Sequence, residues 1–446
     1  MMSDFSDHFV VRGNDLNQHA ADYLSGLLGT ERRKNLEGIH QDIPESNYQG
    51  IQQFVTDSPW DEGKLMEQVA TEVNGILGGH PHSALLIDET GFVKKGEASV
   101  GVQRQYCGRL GKKENCQMGV FACLGRGEKA AIVNFRLFLP ESWAQDDKRC
   151  ELAKIPKTER RHRSKLELAL EMIERAKSLG LGFEWVLADA AYGCSLEFCA
   201  RVEELGLKFL CDVSATNSVW DADPQPGAPA PAEPGRGRPR AALVAGNRAA
   251  KKWRAVDLVK SRFEKESREV VIRRTTKGPL RARVWVGEVW LWEKGTNQAK
   301  RRMLVAREME DGELKISWTN APTETTWEVL AYMQAQRHWV ERAFEDGKSE
   351  LGMAQYEVRK WRGWHHHMAL VSLAMLFVLK ERVSHAESVP LLSARDVVEL
   401  LEFYLPRRGG TEAEVLADLV ERHNARIAAA TSHERGRRRA AENVTK

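Results

Sequence analysis

The chain carries ALLIDETGFVKKG at residues 84–96, and an α/β reading of the molecule starts there. Ala84 to Ile87 is an apolar run that ends in Asp88, the pattern of a buried strand delivering a carboxylate. WVLADAAYG, residues 185–193, repeats the pattern, with Phe183 to Ala188 running into Asp189. Gln117 to Leu124, Ala130 to Leu139 and Lys208 to Val213 are further strand-like runs. Lys165 to Leu179 and Leu196 to Leu205 have apolar residues at helical spacing. Gly180 and Gly182 stop the first of those helices, so the order of elements predicts a central sheet flanked by helices.

Neighbouring strands can bring Asp88 and Asp189 together. Two carboxylates held close repel, and a hard divalent cation between them is the simplest way to keep both ionised. Mg²⁺ suits such a place because it takes few protein oxygens and leaves positions open for phosphate. A strand ending in Asp is common, however, and each aspartate alone is equally readable as a cap or turn residue. YMQAQRHWVERAFEDGKSELG, residues 332–352, supplies a third carboxylate. Tyr332, Arg337, Glu341 and Lys348 fall on one predicted helix there. Arg337 and Glu341 share a face, and Lys348 lies two turns beyond on nearly the same side. A carboxylate flanked by cations fits a metal ligand beside a phosphate track, and it also fits ordinary helix-surface ion pairs. Glu89 and Glu345 are the alternative ligands.

A length of 446 residues predicts a catalytic domain with at least one further module. Residues 1–78 read as a helical N-terminal domain, with helical spacing in Asn17 to Leu28 and Trp60 to Leu77. Ser58 is the expected cap there and Pro59 the first-turn residue. Residues 79–214 form the first part of the core, 215–325 an inserted strand-rich module, and 326–426 the C-terminal helices of the core. Ala369 to Leu379 is the most apolar of those helices, and residues 427–446 make a basic mobile tail. No apolar run is long enough to cross a bilayer, and the N-terminus lacks a basic start followed by an apolar stretch. A cytoplasmic protein without membrane contact is expected. Seven cysteines with no CxxC pair argue against a disulfide framework or a zinc ribbon.

Net charge is only +3, so distribution matters more than the sum. Arg236-Gly237-Arg238-Pro239 resembles an AT-hook, in which two arginines enter the minor groove, and equally a basic linker. Lys94, Lys95 and Arg104, on the loops after Asp88, are candidates for the DNA backbone. Trp253, Trp285, Trp290, Trp292 and Trp318 in the insert read first as its core and second as stacking platforms for a base. His365, His366 and His367 are adjacent and cannot all face one zinc ion; some are expected to face phosphate or the active-site helix.

LIDETGFVKKGEASVGVQRQYCGRLGKKENCQMGVF, VLADAAYG and QRHWVERAFEDGKSELGMAQYEVRKWRGWHHHMAL resemble segments of bacterial insertion-sequence DDE transposases, specifically the insertion sequence 701 family. The spacing of Arg337, Glu341 and Lys348 is similar to a last motif of the form Y-x-x-R-x-x-x-E-x-x-x-x-x-x-K, with Tyr332 two residues early. The resemblance implies an RNase H-like catalytic core carrying an inserted module, in which Asp88, Asp189 and Glu341 hold two Mg²⁺ ions, with Mn²⁺ as substitute. It further implies double-stranded DNA as partner, both terminal inverted repeats and target, and a homodimer on the DNA. The expected activity is metal-dependent cleavage and strand transfer. The other readings are a nuclease without strand transfer and an inactive or domesticated DNA-binding protein.

Overall fold

The computed structural model describes residues 2–29, 33–43, 46–228, 243–275, 278–292, 296–405 and a few positions beyond. Arg236 and Arg238 of the AT-hook reading, and Arg435 and Arg437 to Arg439 of the tail, lie outside the described residues. The chain divides into two compact units: Met1–Phe183 with His338–Lys446, and Glu184–Arg337.

The first unit is built on four antiparallel strands, Ala84–Val93, Gln103–Cys107, Lys112–Arg126 and Lys129–Leu137. The long strand Lys112–Arg126 pairs with all the others, and its register sets Asp88 opposite Phe121. Asp88 therefore stands in mid-strand, not at the strand's end as expected. Thr90, Phe92 and Val93 suit the pleat as well as the apolar run before them, and pairing continues to Val93 opposite Cys116.

Helix Trp361–Ser384 is buried along most of its length, because its apolar residues surround it instead of forming a stripe. It packs on strand Lys129–Leu137 and on helices Asn17–Gly29, Tyr48–Thr56 and Glu62–Leu77, so the N-terminal helices are built into this unit. Helix Glu62–Leu77 begins later than expected, since Asp61 caps it by accepting from the Gly63 and Lys64 amides. Ser58 lies upstream of that cap. Helix Lys165–Ser178 starts with a capping box between Ser164 and Glu167.

The second unit opens with strands Trp185–Ala188 and Lys208–Asp212, which run parallel. Lys208–Asp212 then pairs with Leu314–Thr319, which pairs with Ala299–Glu308, which pairs with Gly278–Trp292. Strands Trp185–Ala188 and Lys208–Asp212 thus fall in the same unit as the strands expected of the insert. Helix Ala255–Glu266 was absent from the sequence reading, although Ala255, Leu258, Val259 and Phe263 keep helical spacing and are buried. Trp285 and Trp318 are core residues, while Trp253, Trp290 and Trp292 are half-buried. The single helix expected around Glu341 is two, Trp327–Gln336 and His338–Glu350. Arg337 at the junction keeps helical dihedrals (φ −55°, ψ −31°), so only the hydrogen-bond ladder is interrupted. Among the described residues no helix is long and apolar enough to cross a membrane.

Candidate active site

Asp88 is 9% exposed, and one carboxylate oxygen, Oδ1, accepts from the Glu89 amide at 2.7 Å. Successive strand residues point to opposite faces, so Asp88 shares its face with Thr90 and Phe92 while Glu89 looks the other way. Glu89 is accordingly engaged elsewhere, with Lys165 Nζ at 2.5 Å from its Oε1. This removes Glu89 from the Asp88 side of the sheet and weakens it as a rival ligand.

Helix His338–Glu350 lies on the Asp88 face. Phe344 meets Phe121 edge-on with ring centroids 5.2 Å apart, and Phe121 is the cross-strand neighbour of Asp88. Lys348 donates to Thr90 Oγ1 and lies 5.5 Å from the centre of the Phe92 ring. Glu341 is one turn before Phe344 on the same helix, half-exposed, with His338 Nδ1 at 3.7 Å. Glu345 is more exposed and pairs with Arg342 at 2.8 Å. The helix is thus pinned to the Asp88 strand by Lys348 and to its neighbour Lys112–Arg126 by Phe344, with Glu341 at the helix's N-terminal end.

Of the cations expected on DNA, Lys94, Lys95 and Arg104 have separate fates. Lys95 is exposed in the bend after the Asp88 strand. Arg104 is also exposed, but it sits on strand Gln103–Cys107 opposite Asn115 and not on a loop. Lys94 is turned inward: its ammonium donates to the Tyr356 carbonyl at 3.0 Å and lies 3.4 Å over the Tyr356 ring centre. Burial, with Arg33 adding, pushes that ammonium down to about 7.

Asp189, in the second unit, follows strand Trp185–Ala188 and caps the short helix Ala190–Gly193. Its Oδ1 accepts from the Ala191 amide at 2.9 Å and the Tyr192 amide at 3.4 Å, so the cap and ligand readings are compatible: one oxygen holds the turn. Ala188 pairs with Cys211, and continuing the register by one residue sets Asp189 beside Asp212. A Cβ on Gly193 would fall 2.0 Å from the Asp212 carbonyl oxygen, so glycine is required for this close approach. Asp212 Oδ2 lies 3.0 Å from Lys315 Nζ and 3.0 Å from Arg337 Nε. Sequence reasoning missed Asp212, although KFLCD, residues 208–212, ends in the same way as WVLAD.

The histidines do not face phosphate or the active-site helix. His366 stacks on Trp60 at 3.7 Å, and its ring nitrogens lie 3.0 Å from the Val55 carbonyl and 3.1 Å from that of Trp60. His365 Nδ1 meets the Trp361 carbonyl at 2.9 Å, and His367 Nδ1 meets the Tyr23 hydroxyl at 2.8 Å. All three are buried within the helical packing. Sequence alone missed this because the helix is apolar all round, which leaves no polar face for them to occupy.

Among the described residues no three His, Cys, Asp or Glu side chains stand together as a metal cluster. The chemistry of the donors nonetheless fits a hard divalent ion. Asp88 and Glu341 offer carboxylate oxygens on elements that touch, and Asp189 spends one oxygen on its helix cap.

Asp88 thus stands on a strand and Glu341 on the helix packed against it, with Lys348 between that helix and the Asp88 strand. The chain belongs to the DDE superfamily of endonucleases, whose sequence pattern matches residues 7–279. That span takes in Asp88 and Asp189 and stops short of Glu341. The chain is also 26% identical over 348 residues to the probable transposase for insertion sequence element IS701 of Microchaete diplosiphon, covering 75% of this chain and 74% of the relative. The resemblance drawn from the three sequence segments is thereby borne out.

Proposed function

We propose that the chain is a DNA transposase of the insertion sequence 701 kind, with an RNase H-like core, in which Asp88, Asp189 and Glu341 together hold two divalent ions, Mg²⁺ or Mn²⁺. Ions bound to these oxygens would lower the pKa of a water or a DNA 3′-hydroxyl and stabilise the leaving oxygen at phosphorus. The chain's own part is to orient and to bind. The Ala191 and Tyr192 amides fix the Asp189 carboxylate. The contact of Phe344 with Phe121 fixes the helix that carries Glu341, and Lys348 brings a cation to the Asp88 strand. Lys95 and Arg104 are exposed near the same strand, where a DNA backbone could reach them. Two copies bound to paired terminal repeats are the working assembly, and the cytoplasm is its compartment.

The observation that carries this reading is Asp88, a carboxylate buried on a strand face covered by the Glu341 helix. The test is to incubate the full chain, Mg²⁺ and pre-cut element ends with a supercoiled plasmid. Joined product is expected. Plasmid nicking or end degradation without joining would support a nuclease that lacks strand transfer, and no phosphodiester chemistry would support an inactive DNA-binding protein.

A further inference from the structure

The second unit contains a cationic cluster that the assignment of three carboxylates leaves unexplained. Asp212 accepts from Ser317 Oγ at 2.7 Å through Oδ1, and its Oδ2 is shared by Lys315 and Arg337, each at 3.0 Å. Ser317 Oγ also accepts from Gln334 Nε2 at 2.9 Å, and Gln334 Oε1 accepts from Arg307 Nε at 3.1 Å. Three cations are thus bound into one network around one carboxylate.

These groups are poorly hydrated: the side chains of Asp212, Arg337 and Lys315 are 13%, 14% and 22% exposed. Surplus positive charge held away from water is costly unless an anion offsets it. Burial and the neighbouring cations Arg337 and Arg307 push the Lys315 ammonium down despite Asp212, the same imbalance felt at one group. The location also matters. Asp212 ends the strand beside the one that leads into Asp189, and the Asp189 turn rests on the Asp212 peptide through Gly193. Ligands of parallel α/β sheets bind at this carboxyl end of the strands.

We propose that Lys315, Arg307 and Arg337, gathered by Asp212, form a phosphate-binding cluster that seats one backbone phosphate of the DNA strand beside Asp189. Asp212 is a positioning residue there, holding two of the cations through one oxygen. This rests on the reading of the chain as a DNA-processing enzyme; to Arg337, which the last motif already sets beside the phosphate track, it adds Lys315, Arg307 and the positioning residue Asp212.

The experiment is a fluorescence-anisotropy titration of the full-length chain with a labelled DNA duplex, in EDTA and over a range of salt, so that binding is read without cleavage. Lys315→Gln is expected to weaken binding and to make the slope of log affinity against log salt shallower by about one unit, the signature of one lost phosphate contact. Lys315→Arg should keep both, and Arg307→Gln should behave as Lys315→Gln does; these two carry the test if Lys315→Gln fails to fold. Folded variants with unchanged affinity and slope would overturn the cluster and leave the catalytic reading standing. Glu341→Gln, run in parallel with Mg²⁺, reports on the other claim: persistent cleavage would overturn the carboxylate assignment, whatever the salt slopes show.

Discussion

Phe344 rests edge-on against Phe121, the residue across the strand pair from Asp88, and so ties the helix of the third carboxylate to the strand of the first. Phe344 is 6% exposed and fills space that nothing else occupies if it is removed. Phe344→Ala should cost about 3–5 kcal/mol of stability, as deletion of a buried aromatic ring does, and Phe344→Leu clearly less. Thermal or urea unfolding measures both. At temperatures where the alanine variant remains folded, its cleavage should still fall, because Glu341 loses its fixed approach. Unimpaired cleavage would mean that this contact does not position the helix.

Glu89 and Asp88 are adjacent in sequence and opposite in direction, which separates their expected phenotypes. Glu89→Gln should retain most cleavage, because Glu89 points to the other face of the strand and is held there by Lys165. Asp88→Asn should eliminate cleavage while the protein melts much as before. A Glu89→Gln variant as inactive as Asp88→Asn would move the ligand assignment by one residue.

Glu345 is separated from Glu341 by one helical turn and is occupied with Arg342. Glu345→Gln is therefore expected to stay within a few-fold of the parent in a cleavage assay, against complete loss in Glu341→Gln. The reverse order of effects would identify Glu345 as the ligand.

The pH dependence of stability follows from the buried histidines. Burial pushes His367 down to about 3 from an ordinary 6.5, and it pushes His365 down as well. The unfolded chain takes up a proton on His367 near pH 6.5 and the folded one only near 3. Stability is therefore fully present above 6.5 and lost as pH falls from 6.5 towards 3, at a limiting slope of about 1.4 kcal/mol per pH unit for one group. Melting curves between pH 7 and pH 4 should show this slope, and His367→Gln should flatten it. An unchanged slope in that variant would assign the acid sensitivity to other groups.

The strands that lead into Asp88 and Asp189 were legible because short apolar runs broken by a charge are rare outside buried strands. The mid-strand position of Asp88 was not, since Glu89 and Thr90 interrupt the apolar run while Thr90, Phe92 and Val93 go on pairing with Gly119, Gln117 and Cys116. Asp212 carried the same signal as Asp189 and was passed over because no motif drew attention to it. The break at Arg337 could not be read from periodicity, since the residue keeps helical dihedrals and only its partner Asp212, distant in sequence, reveals its role. Lys94 looked like one of two similar lysines; a carbonyl and a ring from Tyr356 turned it inward, and local sequence contains neither.

The central claim is that the carboxyl groups of Asp88, Asp189 and Glu341 bind the catalytic ions directly, and a change of ligand chemistry tests it. A thiolate is a softer donor that accepts Mn²⁺ more readily than Mg²⁺. Asp88→Cys, Asp189→Cys and Glu341→Cys should each fail to cleave element-end DNA in Mg²⁺ and recover cleavage in Mn²⁺. Full Mg²⁺-supported cleavage by any of the three cysteine variants would contradict the account.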